Sequence, residues 1–205
     1  MKNLFLLLIL VSTSIFSQTV EVSKKFDFSF AFNIGSANLE NNQIGIVNGN
    51  MYAVNLQASY MLFENTFLND IRLQSGLNFT EFSSDTNIDG LSATFRNNYI
   101  QAPLNIIISK TSQSGKYRFN YGGGINANYL LTVDLEQLSG DSDQNINKFT
   151  IGYQILAGID YFMHEDFYIG IHVGGNGDFT DVEKDGVTNQ LKRGNFLQLS
   201  FGTRF

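Results

Sequence analysis

From Phe26 onward, apolar and polar residues alternate with a period of two over stretch after stretch, the repeat of a strand whose faces meet two different environments. The pattern predicts eight strands. The first, Phe26 to Ser36, sets Phe26, Phe28, Phe30, Phe32 and Ile34 against Asp27, Ser29, Ala31, Asn33 and Gly35. The second, Met51 to Phe63, sets Tyr52, Val54, Leu56, Ala58, Tyr60 and Leu62 against Ala53, Asn55, Gln57 and Ser59. The third (Leu68 to Phe82), fourth (Asn97 to Ser109), fifth (Tyr117 to Thr132), sixth (Lys148 to Met163) and seventh (Phe167 to Phe179) repeat the alternation. In the eighth, Gly194 to Phe205, Leu197, Leu199, Phe201, Thr203 and Phe205 lie opposite Phe196, Gln198, Ser200, Gly202 and Arg204.

The connections between these strands alternate in length. Ala37 to Asn50, Ser83 to Arg96, Val133 to Asn147 and Thr180 to Arg193 are long, polar and rich in Asn and Gly, and are expected as loops. Glu64 to Phe67, Lys110 to Lys116 and His164 to Asp166 are short. Eight antiparallel strands with alternating short turns and long loops predict an all-β, up-and-down transmembrane barrel with both termini on the periplasmic side. Strands of about 10 residues, tilted near 40°, supply the apolar band of roughly 25 Å that such a barrel needs.

Composition narrows the choice. Gly 19, Phe 19, Tyr 9 and a single Pro, with 16% charged residues, favour strands over helices. The residues that solubilise an exposed sheet, Lys and Glu, are scarce on the polar faces, which carry Asn, Gln, Ser, Thr and Gly. A soluble lipocalin-like barrel with those faces toward water is therefore disfavoured, and a packed, hydrogen-bonded lumen fits them. Aromatic residues gather at the ends of the apolar faces: Phe26, Tyr60, Tyr117, Phe119, Tyr161, Phe167 and Phe205 at the turn level, and Tyr52, Phe79, Tyr129 and Phe149 nearer the loops. These are expected to form interfacial girdles.

Met1 to Ser17 stands apart. Lys2 precedes an apolar run, Leu4 to Val11, too short to span a bilayer as a helix, and small residues lead to an expected cleavage near Ser17/Gln18, so a signal peptide (1–17) is predicted ahead of a barrel domain (18–205). With no Cys, neither a lipoprotein anchor nor a disulfide is available. Lys and Arg number 13 against 19 Asp and Glu, a net charge of −6, which leaves no basic face for nucleic acid.

Two resemblances bear on location. The ending Phe-Gly-Thr-Arg-Phe, with Leu199, Phe201 and Phe205 on one face, resembles the C-terminal signal read by the barrel-assembly machinery of Gram-negative bacteria. Together with the segment Tyr99-Ile100-Gln101-Ala102-Pro103-Leu104 and the eight-strand meander, it looks like the PorT-like family of small outer-membrane β-barrels, whose architecture is the eight-stranded barrel of the OmpA type. The resemblance implies a cell outer membrane location, with outer-membrane lipid and the assembly machinery as partners. Most members of that family have no assigned function, and the role of its named member in a secretion apparatus does not transfer.

Candidate chemistry is sparse. The polar parity gathers Asp27, Asp70, Arg72, Arg118, Asp160 and Arg204 inside the barrel near the periplasmic end, with Asp27 and Arg204 adjacent across the closing seam. Buried charges need partners, so an ionic plug is expected in place of a gated pore. Of the two histidines, His164 lies in a turn and His172 faces the lumen, with no Ser and acid at matching parity beside it. Catalysis is therefore not expected, nor is any cofactor or metal. Gly140-Asp141-Ser142-Asp143-Gln144-Asn145 resembles half a calcium loop but lacks the terminal bidentate Glu. Gly122 to Gly124 is read as close packing in a narrow lumen, and Pro103 as a bulge. The expected function is that of a noncatalytic structural or interaction protein working through its loops or periplasmic rim, with a lipid-modifying enzyme or a small channel as alternatives.

Overall fold

Period-two patterning closes the chain into a ring. The computed structural model describes residues 25–41, 45–64, 69–88, 91–135, 149–184 and 187–205. Its strands are β1 (Phe26–Asn41), β2 (Gly45–Phe63), β3 (Asp70–Ile88), β4 (Leu91–Thr111), β5 (Tyr117–Leu135), β6 (Phe149–Phe162), β7 (Phe167–Asp178), β8 (Val182–Lys184) and β9 (Val187–Arg204). Each pairs antiparallel with the next as far as β7, β7 pairs with β9, and β9 returns to β1, so the sheet is a closed barrel. Asn189 on β9 faces Asn41 of β1 on one side and Val182 of β8 on the other. The three-residue β8 thus continues the β7 side of the wall, and the barrel has eight staves. The predicted signal peptide and the calcium-like segment lie outside the described residues.

Closure occurs at the termini. Phe205 N donates to Phe26 O at 2.8 Å and Phe26 N to Phe205 O at 3.2 Å, extending the β1–β9 ladder to its last rung. All eleven aromatic residues expected in the girdles are exposed on the outer face. At the turn level Phe26 and Tyr60 stack at 4.9 Å between ring centroids, and Tyr117 and Tyr161 at 5.3 Å.

Three of the four expected loops are largely strand. β1 and β2 occupy 37–41 and 45–50, β3 and β4 occupy 83–88 and 91–96, and β8 and β9 occupy much of 180–193. The physical reason is an inversion of polarity along the staves. On β1 the outward residues Phe26, Phe28, Phe32 and Ile34 give way to Ser36 and Asn38, while the inward side changes from Asp27, Ser29 and Asn33 to Ala37 and Leu39. On β2, outward Tyr52 is followed toward the hairpin by Asn50 and Asn48. Ala37, Leu39, Val47, Met51, Phe82, Leu191 and Phe196 meet inside as one buried apolar cluster. Beyond the apolar belt the barrel therefore continues as a water-facing sheet around a dry core. Polar outward residues mimicked loops in the sequence because only the inward face there is apolar.

Pro103 is not at a bulge. The β3–β4 register is the same on both sides of it, but the ladder omits the two rungs that would join Gly76 and Leu77 to Pro103 and Ala102. Proline lacks an N–H, and Ser75 Oγ donates to the Pro103 carbonyl at 2.8 Å across this gap. The β4–β5 register shift lies higher, between Asn98 and Tyr99. At inward-facing Gly122 and Gly124, a Cβ would collide with the carbonyls of Ile106 and Leu104 on β4. The tight curl of a narrow barrel requires glycine at both.

Candidate functional site in the barrel lumen

The lumen is filled in three layers. Nearest the short turns is an ionic network, in the middle a layer of amides and hydroxyls, and toward the long hairpins the apolar cluster.

The ionic layer is built from five strands, β1, β3, β5, β6 and β9. Asp27 Oδ2 accepts from Arg72 Nη1 at 2.9 Å and also from Arg118 Nη1, and Arg204 Nε lies 3.6 Å from Asp27 Oδ1. Arg118 reaches a second carboxylate as well: its Nε and Nη2 lie 2.9 and 2.8 Å from Asp160 Oδ2. Asp27, Arg72, Arg118 and Asp160 are all buried. Two aromatic residues close this end of the lumen. The Arg118 guanidinium lies 5.2 Å from the ring centroid of Phe162 and 4.8 Å from that of Tyr168, and that of Arg204 lies 4.3 Å from Phe162. Cations on ring faces and carboxylates on guanidinium edges share the charge where water has little access.

Asp27, Arg72, Arg118, Asp160 and Arg204 thus form one connected set. Asp70, the first residue of β3, is half-buried on the inward parity of Arg72. Leu199, Phe201 and Phe205 are exposed on the outer face of β9 and just beyond it. Two members of the network were not anticipated: Asn120 Nδ2 donates to Asp160 Oδ2 at 2.7 Å, and His172 Nε2 lies 3.2 Å from Asp160 Oδ1. The expectation that His172 has no acid beside it is therefore wrong. Its direct partner across β6–β7 is Gly158, and Asp160 is the diagonal neighbour two residues along. Diagonal pairs fall within reach of long side chains, and Gly158 clears the space, since a Cβ there would overlap the imidazole. The signal available in the sequence was the shared inward parity of residues 158, 160 and 172.

Ser109 donates to Asn120 at 2.7 Å within this layer, and above it Asn55 donates to Asn33 at 2.8 Å, Thr80 to Gln101 at 2.9 Å and Asn128 to Asp178 at 2.6 Å. Among the described residues, two interior cavities measure about 30 and 10 Å³. Each has the space of one or two water molecules. Among the described residues, no group of three His, Cys, Asp or Glu is placed to hold a metal ion.

A closed eight-staved barrel with an aromatic-bordered apolar exterior and a plugged polar lumen has the fold of the small outer-membrane β-barrels. Neisserial surface protein A is similar over 89% of this chain and 98% of its own, at 17% identity and a TM-score of 0.54. The outer membrane protein OprG from Pseudomonas aeruginosa is similar over 89% of this chain and 96% of its own, at 12% identity and a TM-score of 0.55. The outer membrane enzyme PagL matches less well, at 14% identity over 86% of this chain and 97% of its own, with a TM-score of 0.45. No protein-family profile matches the sequence, and no curated protein matches it.

Proposed function

We propose that this protein is a noncatalytic integral barrel of the outer membrane, acting as a structural or interaction protein through its long hairpins or its periplasmic rim. The observation that carries this reading is the plug: charges are paired across the lumen, and the interior cavities there have room for a water or two. In this reading matter does not pass, and the surfaces left for function are the outer wall and the two rims. In this reading 1–17 is a signal peptide removed on export, the short turns face the periplasm, and Leu199, Phe201 and Phe205 guide insertion by the assembly machinery. The likeness to the PorT-like family agrees with that placement.

The test is electrical. Purified barrel reconstituted into a planar bilayer is expected to show no steady current, and a persistent open conductance overturns the reading. The protein is also expected to fractionate with the outer membrane and to require detergent for release.

One observation favours a second reading, a lipid-modifying enzyme: Asp160 and His172 are paired as an acid and a base would be. Both are buried inside the barrel, and nothing that sits in the membrane reaches them.

A further inference from the structure

The outer wall is not uniformly ridged with large side chains. At the upper edge of the apolar belt, across β6, β7, β9 and β1, lies an open groove of about 870 Å³. Registers bring its lining to one height: Ile155 pairs with Gly175, Gly175 with Asn195, and Asn195 with Ser36. The groove floor is small, formed by Ala157 and Gly175, and its walls are Ile155, Val173 and Leu197, all exposed.

Internal packing explains part of the small floor, since a Cβ on Gly175 would press on a backbone carbonyl. Gly174, next along β7, faces inward and must be glycine, because a Cβ there would overlap the Phe196 ring. Gly175 faces outward, and the nearest atom to a Cβ placed on it is Gly194 O at 3.1 Å. Ala157 is exposed on the outer face, with the larger Ile155 two residues along and Val173 paired across from it. An apolar channel is left open at a level where hydrocarbon is the surrounding solvent.

Its polar end carries one charge. Among the described residues that line the groove, Arg193 alone is charged. Its Nε donates to Asn195 Oδ1 at 3.3 Å, and Asn195 lines the same groove. Among the described residues no carboxylate pairs with Arg193. The neighbouring Lys192 is instead engaged by Glu40, at 2.6 Å. Guanidinium groups bind phosphate in bidentate fashion. An apolar groove ending in an available guanidinium, at the hydrocarbon boundary, fits one acyl chain and the phosphate attached to it.

We infer that this groove binds a phosphorylated, acylated glycolipid of the outer leaflet, with an acyl chain over Ala157 and Gly175 and a phosphate on Arg193. The inference rests on the outer-membrane reading and its orientation. The test uses the full barrel in mild detergent, loaded with lipid A or with phosphatidylethanolamine, with retained lipid counted by native mass spectrometry. Wild type is expected to retain lipid A preferentially. Arg193→Glu and the groove-filling Ala157→Phe are each expected to lower retention about tenfold or more, the scale of a lost charge-assisted contact or a blocked site. Arg96→Glu, at an exposed cation on another part of the wall, is expected to leave it unchanged. Both substitutions lie on the outer face, and retained heat-modifiable mobility on gels shows that the variant barrels are folded. Equal retention of lipid A by wild type and both variants overturns the inference, as does equal retention of phosphatidylethanolamine by wild type. If the wild-type barrel fractionates with the outer membrane and does not conduct, yet fails here, the groove inference alone is lost. If it is absent from that membrane, the functional reading falls first.

Discussion

Asp27 on the first strand and Arg118 on the fifth, separated by 91 residues in the chain, are hydrogen-bonded across the barrel lumen. Arg118 also holds Asp160, so one guanidinium neutralises two buried carboxylates from different walls. Replacing it with alanine leaves those charges facing each other in a poorly hydrated space. Arg118→Ala is expected to destabilise the barrel by about 3–5 kcal/mol. Urea unfolding in detergent, followed by heat-modifiable gel mobility, reads the change; a midpoint within error of wild type contradicts the network's role.

Gly202 lies against the ring of Tyr168, and a Cβ at this position would overlap it. Gly202→Ala is therefore expected to cost about 1–3 kcal/mol through overpacking. Tyr168→Ala removes the obstacle, so the double variant should be less destabilised than the sum of the singles. Strict additivity in that cycle argues against the contact.

The polarity inversion locates the edge of the membrane. Leu56 and Asn48 both face outward on β2, one within the apolar belt and the other beyond it. Leu56→Arg is expected to cost about 2–4 kcal/mol in lipid vesicles. Asn48→Arg, already among polar outward neighbours, is expected to fall within about 0.5 kcal/mol of wild type. Similar costs at the two positions would mean that the belt continues into the hairpin.

His172→Ala separates the structural from the enzymatic role of the Asp160 pair. The variant is expected to leave the lipid A composition of expressing cells unchanged while lowering barrel stability, since Asp160 loses a partner at 3.2 Å. A lipid change present with wild type and absent with the variant favours the enzyme.

The staves, their parity and the meeting of Asp27 with Arg204 were legible because a period of two assigns every residue to a face and closure makes the first and last strands neighbours. The hairpin extensions were not. Outward Ser36, Asn38, Asn48 and Asn50 are polar, and the inward Ala37, Leu39, Val47 and Met51 are too spread to read as a core until Phe82 and Phe196 join them from other strands. The His172–Asp160 contact was missed for a related reason: it is diagonal, and linear patterning gives faces but not the stagger between neighbouring strands.

The reversal at Ile34 and Ser36 acts as a depth gauge. Each stave can rest at one height only, because sinking by a single residue, about 3.3 Å, begins to draw a ring of amides and hydroxyls led by Ser36 and Asn50 into hydrocarbon. Rising by the same amount strips lipid from the aromatic edge formed by Phe26, Tyr60 and Phe205. The chain thus encodes a bilayer thickness as well as a fold.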